Sequence, residues 1–517
     1  MSRLVSGPRR APLRWLPLFC LLIAGLFQQA YAECSASHTS AADAARPRIG
    51  LVLSGGGARG YAHIGVLKAL EQMHVPIDCI AATSMGAVVG GLYASGIPAN
   101  ELDTRLSQIN LSDIVFDRNE RAHLPQTLRE DSFEYPIGLS VGYGDGKVKL
   151  PGGLVQGNRL LALLQDWTAP WPGDIDFDKL PIPFRTIATD LSSGAPVVLE
   201  KGSLPRAIRA SAAVPGLFAP FKVDGRTLVD GGLVSNLPVQ MARDMGADIV
   251  IAVNVASPLD DPSNLDSPAA VTQQMVTILM NQNLAAQKAL LGQRDVLLEP
   301  DLGDLSFTDF SNARRGVQLG YTAAEGIAPR LAALALPPDA WDQYIAARET
   351  HGARFEPKRI DAIEIHASGR IPPAYIKQYL RTREGDTYDA EAINRDLSQL
   401  STTGNFESVT QDVVTENGRS VLKIDAQEKS WGPQFLLFGF GMSTTFDGKG
   451  AFNLQLGHRY PWLTQSGLEW RNDIVLGSTQ AKWHTELRQP VLDRLGFYIA
   501  PYLEYGRKHV DIYPDSS

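Results

Sequence analysis

Cysteine is scarce in this chain, three among 517 residues, and beyond the first thirty positions there is no long apolar run. The first scarcity excludes a scaffold knit by disulfides. The second excludes a helical membrane span in the body of the chain, so any crossing segment must be a β-barrel. An excess of base is also missing: the formal charge is −8, and it becomes −12 once Arg3, Arg9, Arg10 and Arg14 are removed with the leader described below. Nucleic acid is therefore excluded as a partner.

What is present is a globular composition, 44% hydrophobic and 20% charged, in a chain long enough for two or three domains. The four arginines precede an apolar run from Trp15 to Phe27, and Ala30-Tyr31-Ala32 has the small-x-small pattern of a cleavage site. Residues 1–32 thus read as a signal peptide, with mature protein from about Glu33 and a linker over 33–47. Cys34 and Cys79 remain after cleavage. A bridge between them would tie a Ser/Ala-rich tail to the core, and it is expected not to form.

Three short motifs carry the chemistry. A five-residue apolar strand, Ile49 to Leu53, runs into Gly55-Gly56-Gly57-Ala58-Arg59-Gly60 and then an amphipathic helix with Ile64, Leu67 and Leu70. Such a turn brings backbone N–H groups close to an anion, as an oxyanion or phosphate cradle does. The Lys-Ser or Lys-Thr of a P-loop is absent, and the spacing does not suit a dinucleotide. Next, Val75 to Ala82 reads as a strand and Met85 to Ala94 as a helix of small residues, which puts Ser84 at their junction. That is the place of a nucleophile elbow, although a serine there also suits a helix N-cap. Third, the strand Thr227–Val229 leads into Asp230-Gly231-Gly232, either a hairpin turn or a presented carboxylate.

Histidine separates a triad from a dyad. After Asp230 the next histidine is His351, followed by His366, His458, His484 and His509, all beyond the globular region. His63 and His74 lie upstream, on the helix after the glycines, and read as packing or solvent-facing residues. A Ser-Asp pair is favoured, with the carboxylate taking the hydroxyl proton directly.

In order and spacing, Gly55 to Gly60, Thr83-Ser84-Met85-Gly86-Ala87 and Asp230-Gly231-Gly232 resemble the signatures of bacterial patatin-like phospholipases. The stretches Ile187 to Gly194, Ala210 to Pro220 and Asn236 to Val255 extend the resemblance. It implies a three-layer α/β/α hydrolase domain over 48–338, with Ser84 as nucleophile and Asp230 as base. The N–H groups of Gly55, Gly56, Gly57 and Ala58 would form the oxyanion hole, supported by Arg59, Gly60, Gly86, Gly231 and Gly232. No metal or organic cofactor is implied. Ala82 stands where the family usually has glycine, which bears on the geometry of the turn. Asp190 reads as a turn residue and Asn236 as a loop organiser. Residues 137–154 read as a hairpin about Gly144-Asp145-Gly146, either a flap over the acyl site or a plain surface feature.

Past a linker over 339–357 the pattern changes. Residues 358–429 read β-α-α-β-β with a hairpin about Asn417-Gly418, which resembles a POTRA domain. From 430 to 517 about five segments alternate apolar and polar residues, as in "AFNLQLGHRY" and "AKWHTELR", the pattern of outer-membrane barrel strands. Five strands make only part of a barrel. The order of domains resembles the single-chain type V secretion proteins of Gram-negative bacteria, in which a hydrolase is exported through its own C-terminal pore.

The reading implied is a lipid acyl hydrolase, a phospholipase A, acting on phospholipid or another fatty-acyl ester and displayed from the outer membrane. Outer-membrane lipid, the barrel-assembly machinery and a second copy of the chain are its candidate partners. The alternative is an outer-membrane assembly or translocation factor whose N-terminal domain binds lipid without turnover.

Overall fold

The computed structural model describes residue 34 and residues 46–118, 124–135, 140–350, 359–444, 450–492 and 497–509. The expected leader, and most of the 33–47 and 351–357 segments, lie outside these.

The hydrolase region is built on one sheet. Strand β1 (Ile49–Leu53) is central, flanked in parallel by β2 (Cys79–Ala82) and by Ile249–Val253. Val296–Leu298 extends one side. Phe184–Asp190 extends the other, followed by the antiparallel strands Arg226–Asp230 and Phe221–Val223, with Pro196–Leu199 pairing beside Phe184–Asp190. Alternation sorts the β1 side chains: Ile49, Leu51 and Leu53 enter one apolar core, and Val52 enters the other with Val250 and Ala252. A sheet covered on both faces accounts for the continuous apolar run of β1. Since β1 leads to β2 on one side and has the later strand Ile249–Val253 on the other, the chain reverses direction across the sheet at its C-terminal end. That is where α/β sheets place their sites.

Three expectations are corrected here. The second strand begins at Cys79 rather than Val75, because residues 75–78 are buried but make no ladder. Cys34 and Cys79 form a disulfide. The tail is docked as well as tethered, since the Cys34 N–H donates to the Met245 carbonyl at 2.7 Å and Cys34 is fully buried. Residues 339–350, expected as linker, belong to a helix (Pro338–Thr350) on the hydrolase region. Its Tyr344 hydroxyl accepts from Ile77 N–H at 3.0 Å and donates to the Ile77 carbonyl at 2.8 Å, and Arg348 lies over the ring of Tyr93.

The next unit runs Ala362–Ser368, Pro373–Tyr379, Ala390–Thr402, Phe406–Glu416 and Arg419–Glu428, the expected β-α-α-β-β order with its hairpin at Asn417-Gly418. Its helix Ala390–Thr402 packs on Asn158–Trp167 of the hydrolase region.

The C-terminal strands are Gln434–Thr444, Gly450–Tyr460, Glu469–Gly477, Gln480–Leu492 and a fifth in two pieces, Phe497–Ile499 and Tyr502–Lys508, parted at Ala500-Pro501. The sheet they form is open among the described residues. One face carries Phe440, Leu454, Leu476 and Trp483, all exposed; the other carries buried Arg459, Arg471 and Arg488. The hairpin about Gly144-Asp145-Gly146, read as either a flap over the acyl site or a plain surface feature, is part of this sheet. Val141–Gly144 and Lys147–Lys149 add to this sheet, with Gln434 opposite Tyr143 and Leu436 opposite Val141.

Candidate active site

With α1 (Ala62–Gln72) following the glycine loop, Ser84 lies one residue beyond the end of β2 and immediately before α2 (Met85–Ala94). Its backbone has φ 55° and ψ −121°, a region costing a non-glycine residue about 1–3 kcal/mol. Three contacts hold it there. The Ser84 N–H donates to Ser211 Oγ at 3.0 Å, Thr83 Oγ1 donates to the Ser235 carbonyl at 2.8 Å, and Gly86 lets α2 start hard against the Leu53 carbonyl, where a Cβ would collide. The Ser84 side chain makes no capping bond to α2. Ala82 keeps β geometry, paired with Leu53 and Thr186. Its φ is not positive, so its Cβ costs the turn nothing.

The hydroxyl of Ser84 instead donates to Asp230 Oδ2 at 2.6 Å. Asp230 ends its strand and is fully buried. Its other oxygen, Oδ1, accepts the Gly232 N–H at 2.7 Å, which fixes the plane of the carboxylate. Gly231 passes so close to the Ile187 carbonyl that a Cβ would not fit. Burial pushes the Asp230 carboxyl up to about 6, against the opposing effect of the Ser84 hydroxyl and the Gly232 N–H. A carboxylate so placed is charged at neutral pH and far more basic than an exposed one.

The glycine loop supplies donors, but not all four of those expected. The Gly55 N–H is bonded to the Asn236 carbonyl at 3.2 Å and the Ala58 N–H to the Phe307 carbonyl at 2.8 Å. Those of Gly56 and Gly57 have no hydrogen bond among the described residues. Gly57 has φ +56°, and a Cβ there would strike Phe307. Arg59 is spent on structure, donating to the carbonyls of Val255 and Leu305 at 3.1 and 2.8 Å, while Gly60 makes room for Met85.

His63 is fully buried with Nε2 2.9 Å from the Ser54 carbonyl oxygen, and burial pushes it down to about 4, so it stays neutral. Asp190 closes a turn on Ser192. Asn236 ties the glycine loop to the helix Pro268–Lys288: its carbonyl takes the Gly55 N–H, and its own N–H donates to Asn283 Oδ1. Ser211 was not singled out from sequence. It takes the Ser84 N–H while bonded to Thr186 Oγ1 at 2.8 Å and to the Ile187 carbonyl at 2.6 Å. Its one sequence signal is a hydroxyl inside the otherwise apolar run "ASAAVPG".

Beside Ser84 opens an apolar cavity with ≈ 720 Å³ of empty space including its mouth, lined by Gly57, Met85, Leu92, Leu160, Trp167 and Phe307 among others. Such a wall accepts an acyl chain and no charged group.

A strained serine on a strand-to-helix turn, bonded to a buried carboxylate beside free backbone donors, is the arrangement of a serine hydrolase. Residues 51–243 match the family described as patatin-like phospholipase, and residues 358–429 match the POTRA family described as surface antigen variable number repeat. The chain thus carries a patatin-like phospholipase domain and a POTRA domain. An uncharacterized NTE family protein of Mycobacterium tuberculosis is 35% identical over 239 residues, 46% of this chain and 57% of that protein. Patatin-like phospholipase domain-containing protein 6 of Homo sapiens is 32% identical over 238 residues, 45% of this chain and 15% of that protein. The chain therefore spans little more than half the length of the first relative and a small part of the second. Among solved structures, BamA from Haemophilus ducreyi lacking POTRA domains 1–3 aligns over 29% of this chain and 28% of that one at 17% identity, with a TM-score of 0.24, too slight a likeness to argue from.

Proposed function

We propose that this chain is a lipid acyl hydrolase, a phospholipase A, held at the outer membrane by its C-terminal sheet. The observation that carries the reading is the 2.6 Å bond from Ser84 Oγ to Asp230 at the mouth of an apolar cavity. In this mechanism Asp230 takes the hydroxyl proton as Ser84 attacks the ester carbonyl. The negative charge on the former carbonyl oxygen meets the N–H groups of Gly56 and Gly57, each worth about 3 kcal/mol in such sites. Asp230 then returns the proton to the departing alcohol. Water, deprotonated by the same carboxylate, frees the fatty acid from Ser84. The cavity holds the acyl chain and excludes bulk water.

Further features support the membrane setting. The exposed apolar face of the C-terminal sheet, continuous across strands through pairs such as Phe440–Leu454 and Leu454–Leu476, suits lipid. The Cys34–Cys79 bridge suits an oxidising compartment. Display of the hydrolase domain at the cell surface, through a pore formed by its own C-terminal strands, completes the proposal.

The test is fatty-acid release from mixed phospholipid vesicles by the full chain, with Ser84→Ala and Asp230→Asn alongside. Release lost in both variants supports the reading. Equal release from all three, or none from wild type, returns the N-terminal domain to a non-catalytic lipid-binding role. Display is checked separately, by whether protease added to intact cells reaches the domain.

A further inference from the structure

Between the short helix Leu111–Val115 and the helix Asn158–Trp167, the hydrolase region leaves its own core. Both helices wall the acyl cavity, through Leu111 and Val115 on one and Leu160, Leu163 and Trp167 on the other. The excursion has a closed neck. Asp117, at φ 50°, accepts the N–H groups of Gly157 and Asn158 on Oδ2, at 2.5 and 3.3 Å, and that of Arg159 on Oδ1 at 2.9 Å. One carboxylate thus ties the outgoing chain to the first turn of the returning helix. Beneath it the fully buried Arg209 donates to the Gln156 carbonyl at 2.7 Å and stacks on Phe218.

Beyond the neck the excursion belongs to the C-terminal sheet. Its helix Gln126–Glu134 lies on the polar face. There Asp131 accepts from Arg459 and Arg471, each at 2.6 Å, and Glu130 accepts from Arg488 at 3.0 Å. Tyr135 donates to Asp473 at 2.5 Å. The sheet is shaped for this contact by missing side chains: a Cβ at Gly457 would come within 2.7 Å of the Tyr135 ring, and one at Gly439 within 2.9 Å of the Glu134 carbonyl oxygen. The hairpin then adds to the sheet edge, with Gly142 so close that a Cβ would fall on the Trp431 carbonyl. Paired charges, a phenol hydrogen bond, glycine seats and strand addition thus all hold one excursion, anchored at both ends in the cavity wall.

We propose that the C-terminal sheet, by holding this helix and hairpin, fixes the wall of the acyl cavity and so sets the preference for long acyl chains, an inference that rests on the hydrolase reading above. Asp131 and Tyr135 are then positioning residues, remote from the reacting atoms. With the excursion released, Asn158–Trp167 keeps the neck and its packing on Ala390–Thr402, whereas Leu111–Val115, which leads straight into the excursion, loses its outer support. The wall that Leu111 and Val115 contribute is what loosens, and a long acyl chain, which needs more of the cavity than a short one, loses most by it. The serine, its carboxylate and the glycine loop stand on the central sheet and are unaffected.

The experiment uses the full chain in detergent micelles as wild type, Gly457→Val, Asp131→Ala and Asp131→Glu. Two quantities are read: the ratio of kcat/KM for p-nitrophenyl palmitate to that for p-nitrophenyl butyrate, and the rate at which a small alkyl fluorophosphonate labels Ser84. Gly457→Val and Asp131→Ala are expected to lower the ratio by about tenfold or more while the labelling rate stays within roughly twofold, since apolar pocket contacts are worth about that much per group. Asp131→Glu, which keeps the charge, is expected to retain a ratio close to wild type. Labelling unchanged with the ratio unchanged in both disruptive variants overturns the inference alone. A wild type that neither takes the label nor cleaves either ester overturns the hydrolase reading and this inference with it. If Gly457→Val does not assemble, Asp131→Ala, which leaves the sheet's own residues intact, decides.

Discussion

Replacing Asp230 by asparagine should make the protein more stable while removing its activity. The carboxyl is fully buried and its ordinary value of 3.8 is raised to about 6. Two pH units at about 1.4 kcal/mol each put the cost of keeping it charged at neutral pH near 3 kcal/mol. The sign follows from where the proton is held more tightly. Between 3.8 and about 6 the folded chain binds it and the unfolded chain releases it, so wild type loses stability as pH rises through that window and stays at the lower level above it. Asparagine has no such dependence, and it can still accept from Gly232 and meet Ser84 through its amide. In thermal unfolding of the full chain, the domain transition of Asp230→Asn should lie about 6–12 °C above wild type at pH 7.5. The gap should close as pH falls to the ordinary carboxylate range. Equal transitions at pH 7.5, or a gap that widens on acidification, would refute the buried-charge account. The same group gives hydrolysis by wild type a single acid limb, rising through about pH 6.

Other changes report on neighbouring parts of the site. Gly57→Ala forces a side chain into a left-handed backbone position and against Phe307, so kcat should fall by about 10²–10³-fold with the loss of an oxyanion donor; steady-state hydrolysis of a soluble ester measures it. Ser211→Ala leaves the Ser84 N–H without its acceptor, and denaturant unfolding should show a loss of about 1–3 kcal/mol. The double change Cys34→Ser and Cys79→Ser opens a loop with a sequence separation of 45. Stability should drop by about 4 kcal/mol. Turnover at moderate temperature should persist, because Cys79 starts β2 and Ser84 follows its other end.

The parts of this molecule that were legible in sequence are those where one local period or one close approach decides. β1 reads as a strand because both its faces are buried, and α2 because Gly86 admits the tight elbow. Ser84 and Asp230 stand out because each lies at a strand end among glycines. What escaped depends on partners far along the chain. Cys34 meets Cys79 only because its tail is docked at Met245. The hairpin at 141–149 shows its own turn in sequence, but its destination is set some 290 residues later by Gln434 to Leu436. Likewise, the Ala58 amide is lost to the Phe307 carbonyl, and nothing near the glycine loop announces that residue. The helix Pro338–Thr350 was missed because its buried contacts are few, chiefly Tyr344 and Arg348.

The seclusion of Asp230 also bears on the isotope behaviour of the reaction. Among the described residues Asp230 is bonded to the Ser84 hydroxyl and the Gly232 N–H, and His63 is neutral and turned to the Ser54 carbonyl, so the carboxyl has no relay behind it. In the proposed mechanism the hydrogen it takes from Ser84 goes to the leaving alcohol, and the hydrogen it takes from water goes back to Ser84. Each half-reaction then has one hydrogen in flight, and the rate measured in mixtures of light and heavy water should fall as a straight line with deuterium content rather than as the bowed curve of a two-proton relay.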